Sequence, residues 1–203
     1  MRLSMKAATF ADLATASVFA DSRRDILAGL TKSWAGVRIR VNGDTVTATA
    51  TDSYRLVNIT RDEVGVSGDV IPLSIPADIL AKAAKEFAKV RGSVILESDG
   101  VEFSITSEVE KTRLGGSVIA GNYPDTDKLI PPLGTIHETP GGISLNPWLI
   151  ADVVKLAPWA GVAKNGRATA PMHVSTITDK NRPIVITSRD EKTVVVVMPV
   201  RMN

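Results

Sequence analysis

The chain repeats one order of secondary-structure signals three times along its length. In the first repeat, a helix predicted to begin near Thr9 is followed by VRIRV, an Asn-Gly turn, TVTATAT and YRLVNIT. The second repeat has VIPLSIP, a helix predicted over residues 77–90, SVILES, an Asp-Gly turn, VEFSITS and TRLGGSVIAG. The third has GISL, a helix opened by Asn-Pro, MHVSTI, a polar turn, PIVITS and TVVVVMPVRM. Each repeat therefore predicts a βαβββ module, and the predicted fold class is α+β.

The size of the repeat predicts how the modules are organised. A module of about 65 residues is too small to bury both its helix and its sheet face, so modules are expected to pack side by side, helices together. Two consecutive prolines and the Gly- and Pro-rich segment LGTIHETPGG form the clearest linker. The boundary predicted there separates residues 1–132, a domain of two modules (about 1–66 and 67–132), from residues 133–203, a third module that is half a domain.

The composition excludes several classes of protein. The chain has no cysteine, which excludes disulfides and thiolate metal ligands and suits a reducing cytoplasm. No segment reaches the roughly 20 apolar residues of a spanning helix, so a cytoplasmic protein without a membrane partner is expected. A net charge of only +2 is too small to hold DNA by bulk charge, so any contact with DNA is expected to be local or topological. Aromatic residues are only 4% of the chain, which disfavours single-strand binding.

The predicted second helix has lysines opposite its apolar stripe. The stripe runs from Leu80 to Phe87, whereas Lys82, Lys85 and Lys89 fall together on the other face. A solvated lysine face and a sequence-independent contact with DNA phosphates both fit this pattern. The residues considered to face DNA are Arg23, Arg24, Lys82, Lys85, Lys89 and Lys155.

Three further segments carry a family resemblance. They are ATDSYRL at 50–56, GNYPD followed by KLIP within 121–131, and VVMPVRM at 196–202. In this order they resemble the ATDGHRL, G-x-FPDYRRVLP and VVMPMRL segments of the bacterial DNA polymerase III β subunit, or sliding clamp, family. Each segment alone favours an ordinary strand or turn, but their joint occurrence reverses this preference. Together with the intervening helix and strand pattern, the resemblance covers nearly the whole chain.

The resemblance implies a DNA-clamp fold, with helices lining the inside and sheets forming the outside of a ring around duplex DNA. It also implies a hydrophobic pocket at a domain junction, where polymerases, the clamp loader and repair proteins insert short linear peptides. Aliphatic and Met side chains suit apolar peptide anchors. Carried over by position, the pocket residues are Thr51, Ser53, Tyr54, Arg55, Leu56, Pro124, Lys128, Leu129, Asn146, Leu149, Val196, Val197, Met198, Pro199, Val200, Arg201 and Met202. The expected function is that of a polymerase processivity factor without cofactor or metal.

Several pocket positions depart from the family pattern. Ser53 takes the place of a glycine, Tyr54 of a histidine, Leu149 of a tyrosine, and Thr126-Asp127 of a Tyr-Arg pair. The peptide preference is therefore expected to differ from that of the bacterial clamp.

The chain is also shorter than the family, because it matches only the second domain and the second half of the third. A ring of about twelve modules built from three-module chains requires four chains, so residues 133–203 are expected to be completed by another subunit of a homotetramer. The reduced length suits a phage-encoded version, acting in a bacterial or phage-infected host cytoplasm.

Two other functions remain open from the sequence. A non-encircling clamp mimic would bind host clamp partners through the same pocket without holding DNA. An enzyme is disfavoured, because His137 and His173 are the only histidines and neither lies in a catalytic or metal-binding motif. No catalytic residue is predicted.

Overall fold

The computed structural model describes residues 1–21, 33–107, 109, 112–130, 147–156, 172–176 and 183–199. Its α-helices are α1 (Ala7–Ala14), α2 (Ala77–Phe87) and α3 (Pro147–Ala151). Its strands are β1 (Arg2–Lys6), β2 (Gly36–Asn42), β3 (Thr45–Thr51), β4 (Arg55–Arg61), β5 (Gly65–Ser67), β6 (Leu73–Pro76), β7 (Ser93–Ser98), β8 (Glu102–Ser107), β9 (Arg113–Ser117), β10 (Met172–Thr176), β11 (Ile184–Ser188) and β12 (Thr193–Val197). The predicted α+β class is confirmed, and the first two modules have the predicted βαβββ order.

The first two modules exchange their first strands. β1 lies in the sheet of the second module, where Leu3 pairs with Leu96 of β7. β6 lies in the sheet of the first module, where Ile75 pairs with Val37 of β2. Because each sheet contains a strand from the other module, neither module can complete its sheet alone.

The exchange produces two sheets. One has five strands in the order β5-β1-β7-β8-β9, and the other has seven in the order β10-β11-β12-β4-β3-β2-β6. The larger sheet crosses from the first module to the third, because β12 pairs with β4 in antiparallel register. Parts of the chain more than a hundred residues apart are therefore held in one hydrogen-bonded ladder.

The two longer helices share one hydrophobic core with strands of both sheets. The rings of Phe10 in α1 and Phe87 in α2 meet edge to face, with centroids 6.1 Å apart. Leu80 and Ala83 complete the buried stripe of α2, as its periodicity predicts. Burial of this stripe leaves the other side of α2 for charged residues.

Two predicted helix boundaries are corrected by the structure. The first helix begins at Ala7, not near Thr9, so Asp12 lies inside it and its carboxylate accepts a hydrogen bond from Arg61 Nε at 3.1 Å. The second helix ends at Phe87, and Lys89 therefore lies beyond it. Its backbone turns there because the N–H of Val90 donates to the Phe87 carbonyl at 3.0 Å.

The hairpin turns match the sequence signals. Gly43 has a φ of 62° and Gly100 a φ of 97°, conformations that favour glycine. Strand β5 and a 3₁₀ helix at Thr15–Phe19 were not predicted. Within the described ranges, no helix is long and apolar enough to cross a membrane.

Candidate functional site

The β4–β12 ladder brings the first and third resembling segments together. Leu56 pairs with Val196, and Arg55 pairs with Val197. At the end of the ladder, the N–H of Met198 donates to the carbonyl of Tyr54 at 3.0 Å. Because residues alternate between the two faces of a sheet, the ladder presents two different surfaces at this junction.

The face away from the main core carries a small apolar group, which we call the junction cluster: Leu56, Val185, Val194 and Val196, with Ile130 packed against it. Neighbouring positions on this face are polar, since Thr49 Oγ1 donates to Asn58 Oδ1 at 2.6 Å. The junction cluster is thus a confined apolar area on a polar sheet face. It unites side chains from all three resembling segments.

Large apolar side chains stand exposed beside this cluster. Tyr54 is 57%, Leu129 55% and Met198 43% exposed. One comes from each resembling segment. Exposed apolar groups next to a packed apolar cluster are typical of a surface that binds a partner.

A strained turn positions Tyr54. Ser53 has a φ of 72°, a left-handed conformation that favours glycine, and the resembled family has glycine at this position. Asp52 Oδ1 accepts from the N–H groups of Tyr54 at 3.1 Å and Arg55 at 3.0 Å. Thr51 Oγ1 accepts from the N–H of Ser53 at 3.2 Å and donates to the Arg55 carbonyl at 2.8 Å. The side chains of Asp52 and Thr51 therefore stabilise the turn. The Thr51 hydroxyl both donates and accepts a hydrogen bond within it.

Arg55 lies on the opposite face of the ladder, in a buried network. Its Nε donates to Asp52 Oδ2 at 2.9 Å, and its Nη1 donates to Asp152 Oδ2 at 2.6 Å. Its guanidinium carbon lies 4.5 Å from the centre of the Phe19 ring. Its Nη2 donates a third hydrogen bond, to the Val18 carbonyl at 3.4 Å. Arg55 thereby connects β4, the 3₁₀ helix of the first module and the third module.

Hydrogen bonds in this network stabilise the charged forms of Arg55 and Asp152. Burial opposes ionisation of Asp152, but hydrogen bonds from Lys155 and Arg55 outweigh it and hold its pKa below the ordinary value. Burial likewise opposes the charge on Arg55, yet its bonds to Asp152 and Asp52 leave the pKa raised. Arg55 and Asp152 are therefore both charged at neutral pH.

A cleft of about 540 Å³ opens along this face of the junction. Its lining combines carboxylates with a lysine, a tyrosine and the Arg55 guanidinium: Ser17, Val18, Ala20, Asp21, Asp52, Tyr54, Arg55, Asp152 and Lys155. The cleft is polar, whereas the junction cluster is apolar. Tyr54 lines the cleft and is exposed at the same end of the ladder as Met198.

The second resembling segment is anchored to the first module. The Tyr123 hydroxyl donates to the Thr49 carbonyl at 3.0 Å, and burial raises the pKa of this hydroxyl. Asp127 accepts two hydrogen bonds from Arg40, at 2.5 and 2.7 Å, and its pKa is lowered by them. These anchors place Ile130 against the junction cluster.

The predicted pocket residues therefore divide between two faces. Val197 belongs to the main core, and Leu149 packs against that core. Neither residue therefore shares the face of Leu56 and Val196. Pro124 and Pro199 are half-buried, and Lys128 is exposed and paired with Asp125 at 2.7 Å. Asn146, Val200, Arg201 and Met202 lie outside the described residues.

The predicted DNA-facing residues differ in their exposure and in their ion-pair partners. Lys82, Lys85 and Lys89 are all exposed, and Lys82 Nζ lies 3.9 Å from Glu86 Oε1. Lys155 lies in the 3₁₀ helix Val153–Lys155 and donates to Asp152 at 2.5 Å. Arg23 and Arg24 lie outside the described residues.

Sequence reasoning did not single out Ile130, Val185, Val194 or Asp152 as site residues. Strand alternation contained the signal for Val194, because it shares a face with Val196 at a spacing of two. Nothing local marked Asp152, which reaches Arg55 across 97 positions of sequence. Within the described part of the chain, no group of three or more His, Cys, Asp or Glu could hold a metal ion.

Comparisons with known proteins agree with this arrangement. Residues 4–125, more than half of the chain, match the family model described as DNA polymerase III beta subunit, central domain. No curated protein sequence matches the chain.

Solved structures with the same fold include three clamps. The DNA polymerase III subunit beta from Pseudomonas aeruginosa has a TM-score of 0.77 at 16% identity, over 99% of this chain and 66% of that chain. The sliding clamp from Bacillus subtilis has a TM-score of 0.77 at 18% identity, over 100% and 65%. The beta subunit from Thermotoga maritima has a TM-score of 0.76 at 13% identity, over 100% and 66%. The chain thus spans just under two thirds of the length of these proteins. With its α+β clamp fold and its matched central domain, the chain belongs to the DNA polymerase III β subunit family of sliding clamps.

Proposed function

We propose that the chain is a DNA polymerase processivity factor that encircles duplex DNA and tethers the polymerase by a short linear peptide. The observation that carries this proposal is the junction cluster, which joins Leu56, Ile130 and Val196 from three distant segments. Tethering requires binding and sliding, and needs no catalytic group or cofactor. The same surface would serve the clamp loader.

The peptide would bind across the exposed end of the β4–β12 ladder. Tyr54, Leu129 and Met198 offer apolar contact area, and methionine adapts to ligands of different shape. The network around Arg55 fixes the backbone from which Tyr54 projects. A rigid base with adaptable apolar groups suits a surface that accepts several peptides.

The sequence-independent contact with DNA would come from exposed lysines. Lys82 and Lys85 lie on the exposed side of α2, opposite the buried stripe formed by Leu80 and Phe87, and Lys89 is exposed just beyond the helix. A net charge of only +2 leaves little attraction beyond such local contacts. Weak phosphate contacts favour sliding over anchoring, so enclosure would be what keeps the protein on the DNA.

Enclosure requires more than one chain. With about twelve modules in a ring and three modules in each chain, four copies would close it. Residues 133–203 would then be completed by another copy, and residues 1–132 would form an intact domain.

Retention on DNA of different topology tests the proposal. The protein is assembled with its loader on nicked circular DNA and on linear DNA of the same sequence, and both are washed at high salt. An encircling clamp stays on the circle and slides off the linear ends, because salt screens phosphate contacts and leaves enclosure intact. Equal loss from both substrates would instead favour the non-encircling mimic.

A further inference from the structure

A second cleft, of about 500 Å³, lies where residues of the two sheets meet, and we call it the seam cleft. Residues of β2 and β6 form one wall, and the turn between β7 and β8 forms another. The third wall is the segment that follows β9. The N–H of Val118 donates there to the Val101 carbonyl, and the N–H of Ile119 donates to the Ser74 carbonyl, both at 2.8 Å. The volume falls within the roughly 300–1,000 Å³ of ordinary ligand sites.

Arg38 gives the seam cleft a positive charge. Among the described residues that line the cleft, it is the only Asp, Glu, Lys or Arg. Arg40 lies two residues further along β2, on the same face, and its guanidinium donates to both carboxylate oxygens of Asp127. Within the described ranges no carboxylate forms an ion pair with Arg38, whose guanidinium carbon lies 5.6 Å from the centre of the Tyr123 ring. The donors of Arg38 are therefore available to an anion in the cleft.

Ser74 adds a buried hydroxyl beside this charge. In the ladder between β2 and β6, Ser74 lies opposite Arg38, so the two side chains are neighbours on one face of the sheet. Ser74 is only 8% exposed and lines the cleft, yet its hydroxyl makes no hydrogen bond with any described residue. A buried hydroxyl without a partner is costly unless a ligand or water bonds to it. Arg38 and Ser74 together therefore form a donor pair that faces the cleft.

The apolar part of the lining limits the class of anion. Val101, Val118 and Ile119 all line the cleft, and Val101 is 71% exposed. Such a lining suits a ligand that carries an apolar group as well as a charge. A phosphate monoester has a charge close to −2 at neutral pH, whereas a carboxylate has a charge of −1. The single cation of the cleft therefore matches a carboxylate better.

We propose that the seam cleft binds a carboxylate carried on an apolar group. The Arg38 guanidinium and the Ser74 hydroxyl donate hydrogen bonds to the carboxylate, while Val118 and Ile119 contact the apolar group. The Tyr123 ring lies against the guanidinium and restricts its orientation, which favours a defined geometry with a planar carboxylate. The C-terminal residue of a polypeptide and a free carboxylic acid both have this chemistry. The seam cleft shares no residue with the junction cluster, so this proposal does not rest on the proposed function.

Three small probes test the site on the whole 203-residue chain. N-acetyl-leucine has a carboxylate and a peptide group, 4-methylpentanoate has the same alkyl group and carboxylate without the peptide group, and N-acetyl-leucinamide has no charge. Binding is followed by NMR chemical-shift changes at the backbone amides of Val101, Ile119 and Gly121, which line the cleft.

N-acetyl-leucine should bind with a dissociation constant on the order of millimolar, as expected for about a dozen non-hydrogen atoms. The neutral amide should bind about tenfold more weakly or worse, because it lacks the charge-assisted hydrogen bonds. Tighter binding of 4-methylpentanoate than of N-acetyl-leucine would identify a free acid as the ligand, and weaker binding a polypeptide C-terminus. Equal binding of N-acetyl-leucine and its amide, or no response of these amides to either acid, would overturn the proposal.

Variants of the lining provide an independent measurement. Arg38→Gln should weaken binding of N-acetyl-leucine by about tenfold or more, whereas Arg91→Gln, which removes an exposed arginine that does not line the cleft, should have no effect. Ala120→Trp places a large ring at an exposed lining position, leaves Arg38 intact and should block binding by filling the cleft. Circular dichroism checks that each variant is folded. Unchanged binding by a folded Arg38→Gln variant would overturn the proposal. If that variant does not fold, unchanged binding by Ala120→Trp would do so.

Discussion

Arg55 Nη1 donates a 2.6 Å hydrogen bond to Asp152 Oδ2, linking the first module to the third. Both side chains are largely buried, and the arginine also stacks on Phe19. In the resembled family this arginine position lines the peptide pocket, whereas here its donors are engaged within the chain. Its main effect is thus to hold the turn and the third module in position around the site.

Removing this arginine should destabilise the junction. Arg55→Met keeps much of the aliphatic volume, removes the charged partner of Asp52 and leaves Asp152 paired with Lys155 alone. We expect a loss of about 2–3 kcal/mol in the free energy of unfolding, measured by urea denaturation. The matched control is Lys128→Met, which breaks an exposed pair with Asp125 and should lower the free energy of unfolding far less than Arg55→Met does. Equal effects of the two variants would contradict the role of Arg55.

The same network predicts a pH dependence. The pKa of Asp152 is lower in the folded chain than in the unfolded chain, despite the opposing effect of burial, because of its bonds to Lys155 and Arg55. Its contribution to stability is therefore present above the ordinary aspartate pKa of about 4 and is lost as the pH falls through the folded value. Asp152→Asn should reduce the fall in unfolding free energy between pH 6 and pH 3, which are chosen about the ordinary pKa. An unchanged slope would show that Asp152 is not linked to folding.

The strained turn predicts a stabilising substitution. Ser53→Gly relieves the cost of a left-handed backbone, and we expect a gain of about 0.5–1 kcal/mol in unfolding free energy. Ser67→Gly serves as the control, because Ser67 lies in the ordinary strand β5 and its replacement should cost about 0.5–1 kcal/mol. Thermal unfolding of both variants shows whether each substitution raises or lowers the free energy of unfolding. A loss at Ser53 would mean that its hydroxyl contributes more than the strain costs.

The exposed apolar residues should contribute to peptide binding without contributing to the fold. Met198→Ala and Leu129→Ala should each weaken binding of a polymerase-derived peptide by about 1–3 kcal/mol by calorimetry, if they contact it as hot spots. Leu56→Ala is less suitable, because Leu56 is buried and its truncation should also cost about 2–4 kcal/mol of stability. Val101→Ala removes a more exposed apolar side chain far from the junction in sequence and should leave affinity unchanged. Full affinity after both Met198→Ala and Leu129→Ala would locate peptide binding elsewhere.

The lysines near α2 should affect DNA and not peptide. Charge reversal at Lys85 and Lys89 should weaken loading on DNA and lower its salt dependence, since each phosphate contact adds to the salt slope. Lys82 should matter less, because Glu86 already lies beside it. Reversal of Arg2 together with Lys6, both exposed and neither in the proposed peptide site, is the control of equal charge change. Unchanged loading of the Lys85 and Lys89 variant would remove this surface from the DNA contact.

Much of the fold and half of the site could be predicted from local patterns. Leu56 and Val196 were identified with their segments, and the ladder does place them side by side. The sequence pattern grouped Val196 with Val197, whereas the structure places them in different apolar clusters because adjacent strand residues face opposite sides. Ile130 was not predicted as a site residue. Its contact with the junction cluster depends on where the hydrogen bonds of Tyr123 and Asp127 place its segment.

The sequence by itself determined the modules, because turns and alternation act within a few residues: the glycine turns at Gly43 and Gly100 need a positive φ, and the stripe of α2 needs burial. Only the tertiary structure decided how modules combine. The exchange of β1 and β6, the β4–β12 ladder and the bond from Arg55 to Asp152 each join residues far apart in sequence. Such contacts depend on which exposed edges and buried charges meet after the modules form, and no local pattern carries that information.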